Sequence, residues 1–224
     1  MLFIVDFDGT ISINDTIDVL LELFASNEYL SIEQRWKNNE IGSMECMKLQ
    51  FELIKVKEDE LKSFLDHVDI DYSFIHFCHY AAKWGRIAIA SDGIDYPIQK
   101  MLEQHQISNI PVFANKMEII DGGVSISFPY AFNCRKRAGC CKCSVSRELR
   151  NVQEEQIILI GNGQSDTCLA EHADFVFAKD SLKEYCLERG IPFHGFDNFL
   201  EIVAIMKQWD ETRNPMGLEL DRTI

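Results

Sequence analysis

Positive charge is scarce in this chain: 22 Lys and Arg stand against 36 Asp and Glu, a formal net charge of −14 over 224 residues. A surface of that sign repels both nucleic-acid phosphates and anionic lipid, so neither is an expected partner. Long apolar runs are missing too. Leu2-Phe3-Ile4-Val5 meets Asp6 at once, too short for the apolar region of a signal peptide, and no stretch reaches the length of a membrane helix. A cytoplasmic location is therefore expected, with the eight Cys as reduced thiols and not a disulfide framework. Internal repeats, long linkers and low-complexity tracts are also lacking.

What is present is the raw material of a packed core, with 46% apolar residues. Leu2 to Val5 reads as a buried strand that delivers Asp6 at its C-terminal end, where open α/β sheets place their chemistry. From Asp15 to about Leu65 the spacing is helical, through Leu20, Leu21 and Phe24, then Met44, Met47 and Phe51, then Leu61 and Phe64. An all-helical stretch inside an α/β pattern predicts an insert: a helical cap over 15–72 on a core built from 1–14 and 73–224.

The α/β rhythm then resumes. Helices are expected over 72–84, 96–104, 144–150, 166–172, 182–189 and 198–209, and strands over 87–90, 112–114, 156–160 and 175–177. The Ser91-Asp92-Gly93 segment reads as a turn, and 116–128, centred on Asp121-Gly122-Gly123, as a β-hairpin at the sheet edge. A polar tail from Asp210 is expected to be loosely held. The fold class is thus α/β: a three-layer, Rossmann-like parallel-sheet core with an inserted helical cap.

Asp6 and Asp8, spaced i, i+2 at a strand end and followed by Gly9-Thr10, form a compact nucleophile and acid/base pair if the chain curls there. An Asp-x-Asp alone is more often a turn or a helix cap. Here it is followed in order by Ser91-Asp92-Gly93 after a strand, Lys142 before a helix, and Gly161-Asn162-Gly163-Gln164-Ser165-Asp166 after another strand. Gly161-x-Gly163 lacks the third Gly of a dinucleotide fingerprint.

Together these segments resemble the haloacid-dehalogenase superfamily and its phosphoserine-phosphatase-like branch, whose opening signature Asp6-Phe7-Asp8-Gly9-Thr10 matches in full. The cysteine-rich Gly139-Cys140-Cys141-Lys142 segment is similar to that of the methionine-salvage phosphatases. The resemblance implies a Mg²⁺-dependent phosphatase for a small phosphorylated metabolite, monomeric or homodimeric. It implies Asp6 as the nucleophile that becomes an aspartyl-phosphate, Asp8 as acid then base, and Ser91, Asp92, Gly93 and Lys142 around the phosphate. Mg²⁺ would be held by Asp6, the Asp8 carbonyl, Asn162 and Asp166, while Arg35 and Glu40 of the cap would reach the substrate's organic part. Asn162 departs from the pattern, because many relatives carry an acid there.

The chemistry makes its own demand. A carboxylate approaching a phosphate dianion costs about 4 kcal/mol per unit pair at about 4 Å and an effective dielectric near 20, so cationic groups must offset it. Lys136 competes with Lys142 for that part by proximity, though only Lys142 immediately precedes a helix. Cys134, Cys140, Cys141 and Cys143 are dense enough for a Zn²⁺ site or a redox pair, but without two separated Cys-x-x-Cys knuckles free thiols are the preferred reading. Two other functions keep the same residues: a phosphate- or metal-sensing module without turnover, and a phosphotransferase.

Overall fold

Alternation along the first strand decides the layering. In the computed structural model, which describes residues 1–212 apart from Asn133, Arg135 and Gln153, all four residues of β1 (Leu2–Val5) are buried. Phe3 and Val5 face one layer of helices and Leu2 and Ile4 the other. A strand covered on both faces reads as continuously apolar, which is why this one was legible.

The described residues form a sheet of seven strands in the order β4-β3-β2-β1-β5-β6-β7. Its members after β1 are β2 (Arg86–Ile94), β3 (Val112–Ile120), β4 (Gly123–Ser127), β5 (Ile157–Gly161), β6 (Phe175–Ala178) and β7 (His194–Gly195). Every neighbouring pair is parallel except β3 and β4. The order reverses around β1, which pairs with β2 on one side and β5 on the other, so a crevice opens at their C-terminal ends.

Helices α1 (Thr16–Phe24), α2 (Tyr29–Lys37), α3 (Ser43–Phe51) and α4 (Glu58–Phe64) precede the first crossover helix, α5 (Ser73–Ala81). The remainder are α6 (Asp95–Gln104), α7 (Lys142–Leu149), α8 (Thr167–Ala170), α9 (Asp180–Arg189) and α10 (Phe199–Thr212). One layer packs Phe74 and Phe77 of α5, Ile98 of α6 and Phe199 of α10 on Phe3 and Val5; the other packs Val145, Leu169 and Leu182 on Leu2 and Ile4.

The first layer ends on Trp209, which is fully buried with ring centroids 5.6 Å from Trp84 and 5.3 Å from Phe175. Trp209→Ala is expected to cost about 3–5 kcal/mol through the cavity it leaves, measured as a fall in the urea unfolding midpoint.

Helices α1 to α4 make a third apolar cluster, in which Leu20, Leu21, Phe51 and Phe64 pack with Ile94 of β2, Met117 of β3 and Val124 of β4. The two chain passages into this helical segment lie side by side: Ser12 and Ile70 form an antiparallel bridge, Ile13 N donates to Asp69 O at 2.8 Å, and Asp71 N donates to Ile11 O at 2.9 Å.

Several boundaries differ from the sequence reading. The Ser91-Asp92-Gly93 segment is not a free turn but part of β2, carried as an irregularity whose pairing with β3 shifts register between Ala90 and Ile94. The short strand at 112–114 and the first arm of the hairpin are one strand, β3, because the same chain pairs with β2 and then with β4. Helix α7 starts at Lys142, two residues early, with Cys141 extended before it. β7 has only two residues, too few for a periodic signal. Asp210 still belongs to α10, and the rest of the expected tail, 213–224, lies outside the described residues.

Candidate active site

Asp6 leaves β1 while its N–H still donates to Ile160 O of β5 at 2.9 Å, so the sheet fixes its backbone. The chain then curls. Phe7 O accepts from the N–H groups of Thr10, Ile11 and Ser12 at 3.0, 2.8 and 3.0 Å. Gly9 takes φ +69°, and a Cβ there would stand 2.3 Å from Asn162 Nδ2, so only glycine fits between the first and last motifs.

Lys142 is the hub. Its side chain is 1% exposed, and Nζ lies 2.7 Å from Asp6 Oδ1 and 2.5 Å from Asp166 Oδ1, and donates to Ser165 Oγ at 2.9 Å. Burial works against its charge, but the Asp166 and Asp6 carboxylates outweigh burial and hold the ammonium above the ordinary lysine range. Asp6 is pushed well above the usual carboxylate range by burial first, with Asp166 adding to the rise and Lys142 opposing it.

Asp8 is held at two corners. Oδ1 accepts from Thr16 N at 2.8 Å and Thr16 Oγ1 at 2.6 Å, at the start of α1, and Oδ2 accepts from Ser91 Oγ at 3.1 Å. Burial raises its carboxyl, against the hydrogen bonds from Thr16 and Ser91 and the charge of Lys142. Gly93 donates its N–H to Ser91 Oγ at 2.9 Å, and a Cβ on Gly93 would sit 2.0 Å from Asp8 Oδ2. The glycine is what lets β2 approach Asp8.

Of the other expected residues, Asp92 is turned to the protein: Oδ2 accepts from Ser43 Oγ of α3 at 2.6 Å and Oδ1 from Cys140 N at 2.8 Å. It ties the helical segment to the 139–141 loop. Burial raises this carboxyl, opposed by the same two donors. Asp166 spends Oδ1 on Lys142 and Oδ2 on the N–H groups of Asn162 and Gly163, both at 3.1 Å. These bonds shape the 161–166 loop, and Oδ1 keeps acceptor capacity beyond its one bond to Lys142. Asn162 Oδ1 accepts from Thr10 Oγ1 at 3.2 Å.

A cleft of about 230 Å³ opens beside Lys142, between Trp36, Ile41 and Ser43 on one side and Arg137, Lys142 and Ser165 on the other. Lys136 also lines the cleft, but of the two competing lysines it is Lys142 whose Nζ meets Asp6. Arg35 and Glu40 do not line it. They face each other on an exposed surface at 3.9 Å, with Glu45 4.0 Å from Arg35, while the neighbouring Trp36 and Ile41 line the cleft. A larger groove of about 500 Å³, near Leu2, Gly85 and Arg86, opens at the opposite ends of the strands and holds none of the motifs.

Sequence reasoning missed Thr16, Ser43 and Ser165. Thr16 carried one readable sign, its place just after Asp15, whose side chain caps α1. Ser43 joins Asp92 across 49 positions and left no pattern.

The donors at the end of β1 suit a hard divalent cation. The Asp6 carboxylate, the Asp8 carbonyl and the Asn162 amide all offer oxygen, and Asp6, Asp8 and Asp166 together outnumber the single Lys142 ammonium. Among the described residues no group of three or more His, Cys, Asp or Glu side chains converges as a ligand set. Mg²⁺ does not require one, since it is usually bound by one or two carboxylates, water and substrate phosphate. All eight cysteines stand as thiols.

A 2-hydroxy-3-keto-5-methylthiopentenyl-1-phosphate phosphatase of Bacillus pumilus is 30% identical over 223 residues, covering 95% of this chain and 96% of that one. A substrate-bound phosphoserine phosphatase superposes with a TM-score of 0.66 at 16% identity, covering 91% of this chain and 96% of the other. A phospho-aspartyl intermediate analogue of phosphoserine phosphatase superposes with a TM-score of 0.64 at 17% identity, covering 92% and 97%. The family described as Putative Phosphatase matches residues 1–219. With that match running from the strand that carries Asp6 to beyond the last described helix, the chain belongs to this phosphatase family, on the haloacid-dehalogenase fold.

Proposed function

We propose that this phosphatase hydrolyses a small-metabolite phosphomonoester through an aspartyl-phosphate on Asp6, with Mg²⁺ as cofactor. One observation carries the reading: a buried ammonium, Lys142, bridges Asp6 and Asp166 at the switch point of the sheet, beside a cleft. A solved neighbour described as a phospho-aspartyl intermediate analogue shares the fold and supports the same intermediate here.

In this scheme an Asp6 oxygen forms a bond to phosphorus as the bond to the leaving oxygen breaks, and Asp8 gives that oxygen its proton. The raised Asp8 carboxyl favours keeping a proton nearer neutral pH. Water then attacks the phosphorus, Asp8 takes its proton, and Asp6 returns as carboxylate. Lys142 offsets the charge gathered at Asp6, and Ser91 Oγ–H, which donates to Asp8 here, would turn to a phosphoryl oxygen. Mg²⁺, held by Asp6, the Asp8 carbonyl, Asn162 and Asp166, the last directly or through water, would supply the remaining positive charge.

The helical segment 15–72 serves as the cap in this reading, with Trp36 and Ile41 against the organic part of the substrate. The enol phosphate named for the Bacillus pumilus relative is the first substrate to try, because that relative matches nearly end to end. The test is a phosphate-release screen over a metabolite panel containing that enol phosphate and phosphoserine, with Mg²⁺ present and after chelation. Metal-dependent release from at least one monoester is expected. Release that survives complete chelation, or none from any compound, would sink the proposal.

A further inference from the structure

The cysteines beside Lys142 have no part in the reaction just described. Cys143 is the second residue of α7, directly after Lys142, and Cys168 is the second residue of α8, two after Asp166. Their sulfurs stand 3.1 Å apart. A disulfide needs about 2.05 Å, so closure asks for a movement of only about 1 Å. Both thiols are half-buried and border the cleft, which gives a small oxidant a path to them. Cys134 and Cys141 border the same cleft and contact each other, so the site carries a second pair against which the first can be judged.

We infer that Cys143 and Cys168 close under peroxide into a reversible disulfide that lowers the turnover of this phosphatase. One thiolate sulfur attacks a peroxide oxygen and the O–O bond breaks, giving a sulfenic acid and a hydroxide that is protonated to water. The second thiol then attacks that sulfur, the S–S bond forms, and the departing hydroxyl takes the thiol proton as a second water. The two sulfurs lose the two electrons that hydrogen peroxide gains. Burial and the neighbouring Cys168 thiol hold the Cys143 thiol well up, so the reaction is slow and needs an excess of peroxide.

The consequence for turnover follows from the chain neighbours and rests on the reading of Lys142 given above. Drawing α7 and α8 together displaces Lys142 relative to Asp6 and Asp166. A misplacement of about 1 Å in a catalytic constellation costs about a hundredfold in rate.

The experiment treats the purified full chain with excess hydrogen peroxide, maps disulfides by mass spectrometry of unreduced peptides, and measures kcat before and after dithiothreitol. A Cys143–Cys168 linked peptide is expected, with kcat lowered about a hundredfold and restored by the reductant. Cys168→Ser and, independently, Cys143→Ala should each lose the reversible component. A Cys134–Cys141 link in its place, no linked peptide at all, or the expected link with kcat unchanged would overturn the inference. The mapping is read without turnover, so it stands apart from any failure of the proposed reaction.

Discussion

Asp6→Asn should yield a protein that releases phosphate at least about 10⁴-fold more slowly and yet unfolds later than the parent. The first half follows from the chemistry, because an amide of the same shape cannot attack phosphorus. The second follows from burial. The folded-state pKa of Asp6 is raised, chiefly by desolvation and then by Asp166, so its charged form costs stability once the pH exceeds the unfolded value of about 4. Removing that charge should raise the urea midpoint of the metal-free protein at pH 7 to 8. The gain should vanish as the pH falls towards 4, where the parent carboxyl is protonated in both states. Lys142 retains Asp166 at 2.5 Å, so its ammonium is not orphaned. Wild-type turnover in the variant, or a lower midpoint at neutral pH, would contradict the argument.

Lys142→Met should do the reverse, losing both activity and about 3–5 kcal/mol of stability. Its ammonium contacts two buried carboxylates, and a thioether leaves both without it. The lysine's own pKa is raised by folding, so its contribution is fully present below the unfolded lysine value and is complete at pH 7. Above pH 4 the stranded Asp6 carboxylate must stay charged in a buried site or take up a proton, so the deficit should widen from pH 4 to 8 in urea titrations. Adding Asp6→Asn to Lys142→Met should recover part of the loss without recovering turnover. A double variant no more stable than Lys142→Met would show that the cost lies in packing and not in charge.

The residues that meet at this site were legible because each sits at the end of an apolar run that betrays a strand, or at the start of a helix. Asp6 follows Leu2–Val5, Ser91 follows the apolar start of β2, and Asn162 and Asp166 follow Ile157–Gly161. Parallel register then brings the three strand ends together without further information from the side chains. What the sequence hid are polar contacts between distant segments. Nothing in its periodicity ties Ser43 to Asp92 or both oxygens of Asp166 to protein donors, and nothing marks Trp36 as facing the cleft while its neighbour Arg35 faces Glu40 and Glu45. Helical spacing located the helices of 15–72 but not which charged residues on them turn inward, since a solvated face and an inward-facing polar one carry the same residue types.

The apolar cluster that joins Leu20, Phe51 and Phe64 to Met117 and Val124 changes what counts as an exchangeable module. A chimera that swapped 15–72 alone for the corresponding segment of a relative would strand the inner face of the β3–β4 hairpin against a mismatched partner. The graft that keeps its own interior must carry 112–127 along with the helices, so this part of the scaffold is exchanged as two pieces of chain that share one apolar cluster.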